Sequence, residues 1–325
     1  MTATNPGHTQ ADISEQRMEC MELWGGSRET DTLLKMSGLE AQVFSRAYGS
    51  SEHGGDVYYF SSCASGRISR VLLADVTGHG ESVATTASML RHVMRNNVNM
   101  IRQTRLMAAI NQEFTRVSED GGFATALLIT YFSPTRSLTL SVAGHPPPLL
   151  YRQSIGEWVL FEDSQAESLP FNLPLGITES TNYGYYSLAF EPGDLLLAYT
   201  DAFTEAFAAN GEILGIQGLL AIVNEAPQDD KNDFIPWLVA RMQELNEANL
   251  THDDATAISI QPTGNRIPLR DNLFAPWRLV RGVGNRGRRR LEHDGLESGN
   301  PGDSQRCENS VSQWKPLASR DECGC

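Results

Sequence analysis

Two runs decide the fold: His53-Gly54-Gly55-Asp56-Val57-Tyr58-Tyr59-Phe60-Ser61-Ser62-Cys63-Ala64, and Ile68-Ser69-Arg70-Val71-Leu72-Leu73-Ala74-Asp75-Val76-Thr77-Gly78-His79-Gly80 after the turn Ser65-Gly66-Arg67. Apolar, β-branched and aromatic residues on both sides of a Gly-containing turn read as an antiparallel hairpin. Asp56 precedes the first strand and Asp75 ends the second, so antiparallel pairing brings both carboxylates to one end of the hairpin. Two further aspartates stand in the same kind of place. Asp201 follows the apolar run Leu195-Leu196-Leu197-Ala198-Tyr199-Thr200, and Asp253-Asp254 opens the run Ala255-Thr256-Ala257-Ile258-Ser259-Ile260. Carboxylates at strand ends that converge in space are a means of holding hard divalent cations.

Outward from the hairpin, Val83, Ala87, Leu90 and Met94 follow the spacing of a buried helical face from Glu81 onward, and Leu106, Ile110 and Phe114 mark a second helix over 104–117. Strand-like runs follow at 123–132, 138–143 and 148–151, with Ser133-Pro134-Thr135-Arg136 as a turn. Residues 185–190 and 195–200 read as another hairpin across Glu191-Pro192-Gly193-Asp194. Helices over 215–224 and 233–248 precede the last strand at 255–260. Adjacent strands with helices inserted in pairs predict an α+β fold, antiparallel sheets covered by helices, rather than alternating β-α-β units.

The chain has 325 residues and a formal net charge of −14, with the acidity before Thr263 and a mildly basic stretch after it. That balance argues against a nucleic-acid binder, whose affinity rests on basic surface. No apolar run approaches the ~20 residues of a membrane helix, and the first residues lack the basic and apolar regions of a secretory leader, which reads as a cytoplasmic protein with no membrane partner. Five cysteines, three of them at Cys307, Cys323 and Cys325, do not make a disulfide framework. Residues 1–17 and 263–325 read as disordered by composition, leaving one domain over 18–262. The lead-in Cys20-Met21-Glu22-Leu23-Trp24 and Leu33-Leu34-Lys35-Met36 is too small to be a sensor, and Arg286-Gly287-Arg288-Arg289-Arg290 reads as a solvated stretch.

The ordered set of motifs resembles the PPM group of metal-dependent protein serine/threonine phosphatases, in its SpoIIE/RsbU-like bacterial branch. The pieces are Gly54-Gly55-Asp56, Ala74 to Gly80, Ala143 to Leu150, Leu173 to Ile177, Glu191 to Asp194, Thr200 to Ala206, and Asp253 to Thr256. The specificity lies in the order, since each piece alone is weak. The resemblance implies a sandwich of two antiparallel sheets flanked by helices, with two Mn²⁺ or Mg²⁺ ions at one edge. It implies that Asp75 bridges both ions, that Asp56 and the main-chain carbonyl of Val76 complete one site, and that Asp201 with Asp253 holds the other. Catalysis then runs through a metal-activated water that attacks the phosphorus of a phosphoserine or phosphothreonine. His79 is the candidate general acid, against the simpler reading of a turn histidine between two glycines. His145 reads as a turn histidine, Asp254 as an alternative ligand, and Glu205 as a support for the site rather than a ligand.

The same resemblance implies a phosphoprotein substrate of the anti-sigma-factor-antagonist kind and leaves a homodimer open. Three positions depart from the family pattern: Tyr59 where a second acidic residue is frequent, Ala202 for glycine, and Val142 for asparagine. Tyr59 and Ala202 motivate the alternative of a weak or inactive pseudophosphatase that binds phosphoproteins. Hydrolysis of small phosphate esters would share the same chemistry.

Overall fold

A computed structural model describes residues 13–18, 23–36, 38–49, 54–62, 67–77, 81–98, 100–118, 122–161, 173–227 and 233–264. His79, all five cysteines and the Arg286–Arg290 cluster lie outside the described residues. The strands are β1 (Ser14–Arg17), β2 (Leu23–Gly26), β3 (Thr30–Met36), β4 (Leu39–Arg46), β5 (Asp56–Ser62), β6 (Ile68–Val76), β7 (Ala124–Phe132), β8 (Ser137–Ala143), β9 (Leu149–Arg152), β10 (Glu157–Leu160), β11 (Tyr186–Ala189), β12 (Leu195–Tyr199) and β13 (Ala255–Pro262). The helices are α1 (Glu81–Asn97), α2 (Gln103–Val117), α3 (Gly215–Asn224) and α4 (Phe234–Leu245).

Two sheets stack face to face. One has seven strands in the order β1-β3-β4-β13-β12-β9-β10, the other six in the order β11-β8-β7-β6-β5-β2. Every pairing is antiparallel except β1 with β3. The predicted sandwich is therefore present, with one parallel edge. Side chains alternate along each strand, so the central strands feed two cores at once. Val71 and Leu73 of β6 enter the core between the sheets, with Leu196, Ala198, Ile258 and Ile260 of the opposite sheet. Leu72, Ala74 and Val76 enter a second core under α1 and α2, where Val83, Ala87, Leu90, Met94, Leu106, Ile110 and Phe114 all lie as their spacing predicts. A third core holds Leu195, Leu197 and Tyr199 beneath α3 and α4. Burial on both faces explains why β6 and β12 read as largely apolar runs rather than alternating ones.

Three expectations are corrected. Residues 185–190 and 195–200 do not form a hairpin: β11 pairs with β8 in the six-stranded sheet, while β12 pairs with β9 and β13 in the seven-stranded one. The Glu191-to-Asp194 turn is instead a crossover between sheets. The Asp194 carboxylate, 4% exposed, accepts from the Glu191 and Gln153 main-chain N–H groups at 3.1 and 3.0 Å and from Arg152 Nη1 at 3.0 Å. A turn signal fixes a reversal of the chain, not the partner of the strand that follows it.

Secondly, Ser14–Arg17 falls in the stretch expected to be disordered, yet it forms β1. The Ser14 hydroxyl meets that of Thr32 at 2.8 Å, and Glu15 pairs with Lys35 at 2.9 Å. Four polar residues make a strand there because the edge of β3 supplies the hydrogen-bond ladder that composition cannot reveal. The lead-in is ordered, as expected, and joins the seven-stranded sheet: β3 and β4 pair over their whole length, and β4 pairs with β13 from Arg46 to Leu39. Thirdly, at the other end Thr263, assigned to the disordered tail, donates its main-chain N–H to the Gly38 carbonyl at 3.0 Å. No helix among the described residues is long and apolar enough to cross a membrane.

Candidate metal centre at the edge of the sandwich

Asp56 and Asp75 are direct cross-strand partners, as the hairpin predicts. Alternation puts Asp56 on the face of Tyr58 and Phe60, and Asp75 on the face of Val71 and Leu73, so both carboxylates look into the space between the sheets. The opposite sheet answers from the same end. By the same parity Thr200 follows Leu196 and Ala198, and Asp254 and Thr256 precede Ile258 and Ile260. Asp201 opens a short 3-10 turn, Asp201–Phe203, beyond β12, and Asp253 lies just ahead of β13.

The pair of glycines before Asp56 has a steric cause. A Cβ on Gly54 would lie 2.6 Å from Asp254 Oδ1, and one on Gly55 would lie 2.8 Å from Val83 Cγ1 and 2.9 Å from the Val76 carbonyl oxygen. Asp254 clamps this segment: Oδ2 accepts from the Gly55 N–H at 2.5 Å and Oδ1 from the Tyr48 N–H at 2.6 Å. Asp253 instead turns its Oδ1 back to the Asp254 N–H at 2.8 Å and is exposed. The two neighbours thus divide two roles, with Asp254 fixing backbone and Asp253 facing outward. Sequence reasoning weighed them only as rival ligands.

Asp56 is 1% exposed. The Thr200 hydroxyl donates to its Oδ2 at 2.9 Å, while its Oδ1 is buried with no hydrogen-bond partner. Burial, then the neighbouring Asp75, pushes the Asp56 carboxyl well above the usual carboxylate range. Asp75 is pushed up to about 7 by burial and then by the fields of Asp201, Asp253, Asp254 and Glu205. Asp201 is raised by burial, Glu205 and Asp253. Among the described residues no lysine, arginine or histidine forms a salt bridge to any of these groups. Like charges that raise one another's affinity for protons form a site that a cation would relieve.

The residues present fit a hard dication. The donors are oxygen only, one buried carboxylate oxygen lacks a partner, and the local charge is uncompensated. The carboxylates lie within electrostatic range of one another, although no three His, Cys, Asp or Glu side chains among the described residues close into a ready coordination sphere.

Two departures from the family pattern lose their force here. Tyr59 sits three residues from Asp56, an odd offset, and so faces the core under α1 and α2 with Leu72 and Ala74 rather than the carboxylates. Ala202 is buried and is not among the residues with positive φ, so the backbone there does not require glycine. Val142 packs in the core between the sheets.

Two motifs beyond the aspartates act as scaffolding. His145 Nδ1 meets the Thr125 hydroxyl at 2.9 Å, and Thr125 is the cross-strand partner of Asp75. Burial pushes the imidazole down to about 3, which favours its neutral form. Leu175, in Leu173 to Ile177, bonds to Ala124 through both main-chain groups, at 3.0 and 2.8 Å. Asn111 of α2 ties the same loop, accepting from the Gly176 N–H at 3.0 Å and donating to the Thr178 carbonyl at 2.7 Å.

A helix-flanked double sheet with carboxylates gathered at one edge is the architecture of PPM-type phosphatases. The family described as Stage II sporulation protein E (SpoIIE) matches residues 65–263, more than half of the chain, and the protein belongs to that family. The match includes Asp75, Asp201 and Asp253 and begins after Asp56. The phosphoserine phosphatase RsbU of Bacillus subtilis (strain 168) is 24% identical over 208 residues, covering 64% of this chain and 59% of the relative. The chain thus spans about three fifths of that relative's length. Among solved structures, the SiaA-PP2C domain of Pseudomonas aeruginosa superposes with a TM-score of 0.58 at 15% identity, covering 69% of this chain and 86% of that one. RsbX, solved in complex with magnesium, superposes at 0.53 and 15% identity, covering 72% of this chain and 100% of that one. These likenesses bear out the resemblance and the fold.

Proposed function

We propose that this protein is a metal-dependent phosphoprotein phosphatase acting on phosphoserine or phosphothreonine, with two Mn²⁺ or Mg²⁺ ions held by Asp56, Asp75, Asp201, Asp253 and the Val76 carbonyl. The observation that carries the reading is the cross-strand pair Asp56 and Asp75, with an unpartnered buried Oδ1 on one and a carboxyl pushed up to about 7 on the other. The ions, when bound, supply charge neutralisation at the phosphoryl oxygens and a lowered pKa for water. The chain's own work is to hold the carboxylates aimed, against a burial that by itself favours their protonated form. Asp254 fixes the Gly54-Gly55 backbone, so that Asp56 enters its strand at a set height. Glu205, exposed four residues after Asp201, adds negative potential without burial.

The family and the likeness to RsbU, a phosphoserine phosphatase, support the substrate class. We assign a phosphoprotein of a partner-switching system, of the anti-sigma-factor-antagonist kind, as its substrate, with the domain over 18–262 as the catalytic unit. His79 remains the candidate general acid. The pseudophosphatase alternative loses two of its motives, because Tyr59 faces away from the site and Ala202 needs no glycine backbone.

One assay tests the proposal. Hydrolysis of p-nitrophenyl phosphate or a phosphoserine peptide is expected only with Mn²⁺ or Mg²⁺ present, and Asp75→Asn is expected to lower it by at least about 10³-fold. Turnover undiminished by a chelator would overturn the mechanism.

A further inference from the structure

We propose that Thr200 and Thr256, from the sheet opposite Asp56, are positioning residues that set its carboxylate for cation binding. The inference rests on the reading of Asp56 as a metal ligand. Hydroxyls from β4, β13 and the end of β12 gather behind Asp56. The Thr200 hydroxyl at the end of β12 donates to Asp56 Oδ2 at 2.9 Å, and it also accepts the Thr256 main-chain N–H at 3.0 Å. The Thr256 side chain lies beside the same carboxylate. Behind it the Ser45 hydroxyl of β4 meets the Thr256 hydroxyl at 2.9 Å. Thr200 and Thr256 are 0% exposed, and Ser45 is 3% exposed.

Three features make this more than core hydrogen bonding. The Thr200 hydroxyl engages Oδ2 of Asp56, while Oδ1, equally buried, has no hydrogen-bond partner. A carboxylate tied at one oxygen has its other lone pairs aimed in a fixed direction, which is what a ligand to a small hard ion requires. The contact also crosses the sandwich: Asp56 belongs to the six-stranded sheet, and the three hydroxyls to the seven-stranded one. The threonines stand directly beside the proposed ligands of the second ion, Thr200 before Asp201 and Thr256 three residues after Asp253. The same hydroxyls therefore index the two halves of the centre to each other, so that a shift of one sheet against the other would disturb both. Valine would fill the same volume at either position and lose this function, whereas serine would keep it.

The test uses the full chain with Thr200→Val, Thr200→Ser and Thr256→Val, and reads Mn²⁺ binding by calorimetry and the Asp56 carboxylate in metal-free crystal structures. Thr200→Val is expected to weaken Mn²⁺ binding roughly 10- to 100-fold, with the carboxylate rotated from its wild-type position and far-UV circular dichroism unchanged. Thr200→Ser is expected to restore both readouts to wild-type values. Should Thr200→Val fail to fold, Thr256→Val, which leaves the Thr200 hydroxyl in place, decides through the same readouts and is expected to weaken binding in the same direction. Wild-type Mn²⁺ affinity in a folded valine variant, or an Asp56 carboxylate unmoved by it, would overturn the proposal. Wild-type protein that takes up no Mn²⁺ would instead sink the four-aspartate reading, and the metal-free carboxylate position would then decide the role of the threonines alone.

Discussion

Asp254 and the two glycines it clamps show how much of a residue's role depends on neighbours that sequence cannot supply. Asp56, Asp75, Asp201 and Asp253 were legible because each sits at a strand end. The division of labour between Asp253 and Asp254 was not, since it depends on Gly55 and Tyr48, 199 and 206 residues from Asp254 along the chain. Tyr59 reads in sequence as a lost acid, and only strand parity reveals it as core. At this scale Gly55→Ala is expected to lose about 1 to 3 kcal/mol in urea denaturation, because its Cβ would press on Val83 and the Val76 carbonyl. Gly264→Ala meets nothing within 4 Å and is expected to stay within about 0.5 kcal/mol.

His145 gives a second test at the residue scale. Its folded pKa lies below the unfolded one, so the unfolded chain binds a proton that the folded chain refuses. Stability is then lost as pH falls below about 6.5 and on toward 3, by roughly 1.4 kcal/mol per unit. His145→Gln is expected to flatten the difference in unfolding free energy between pH 7 and pH 5 relative to wild type. An unchanged slope would place the imidazole in a solvated setting.

Among the elements, the helices and the first hairpin were the most legible, because 3.6-residue spacing and a turn between apolar runs are local signals. The crossover at Glu191 to Asp194 and the polar edge strand β1 were not. Their partners lie in other strands, and pairing energy is decided by those partners. A buried arginine illustrates the same dependence. Arg70 of β6, 7% exposed, donates from its guanidinium to the main-chain carbonyls of Val98, Met100 and Ile101, in the link between α1 and α2. It therefore fixes where α1 ends relative to the sheet that carries Asp75. Arg70→Met is expected to lose about 2 to 4 kcal/mol, through carbonyls left without their charged donors, measurable as a lower midpoint in thermal or urea unfolding. A midpoint equal to wild type would mean that the link holds itself.

For the whole molecule, two sheets and two helical layers place the carboxylates of one sheet against the hydroxyls and carboxylates of the other, so the candidate site is a property of the assembled sandwich alone. Composition and motif order reached that architecture. They did not reach the register between the sheets, which is set by three cores filled from opposite faces of the same strands. The domain we assign ends near Pro262, so removal of residues 265–325 is expected to leave metal-dependent phosphatase activity within about twofold of the full chain. Loss of activity would make that segment part of the fold. The most direct test of the central claim is anomalous diffraction from crystals grown with Mn²⁺. The account predicts two peaks, with Asp75 between them, Asp56 and the Val76 carbonyl on one side, and Asp201 with Asp253 on the other. No peak at these carboxylates, or ions bound elsewhere, would contradict it.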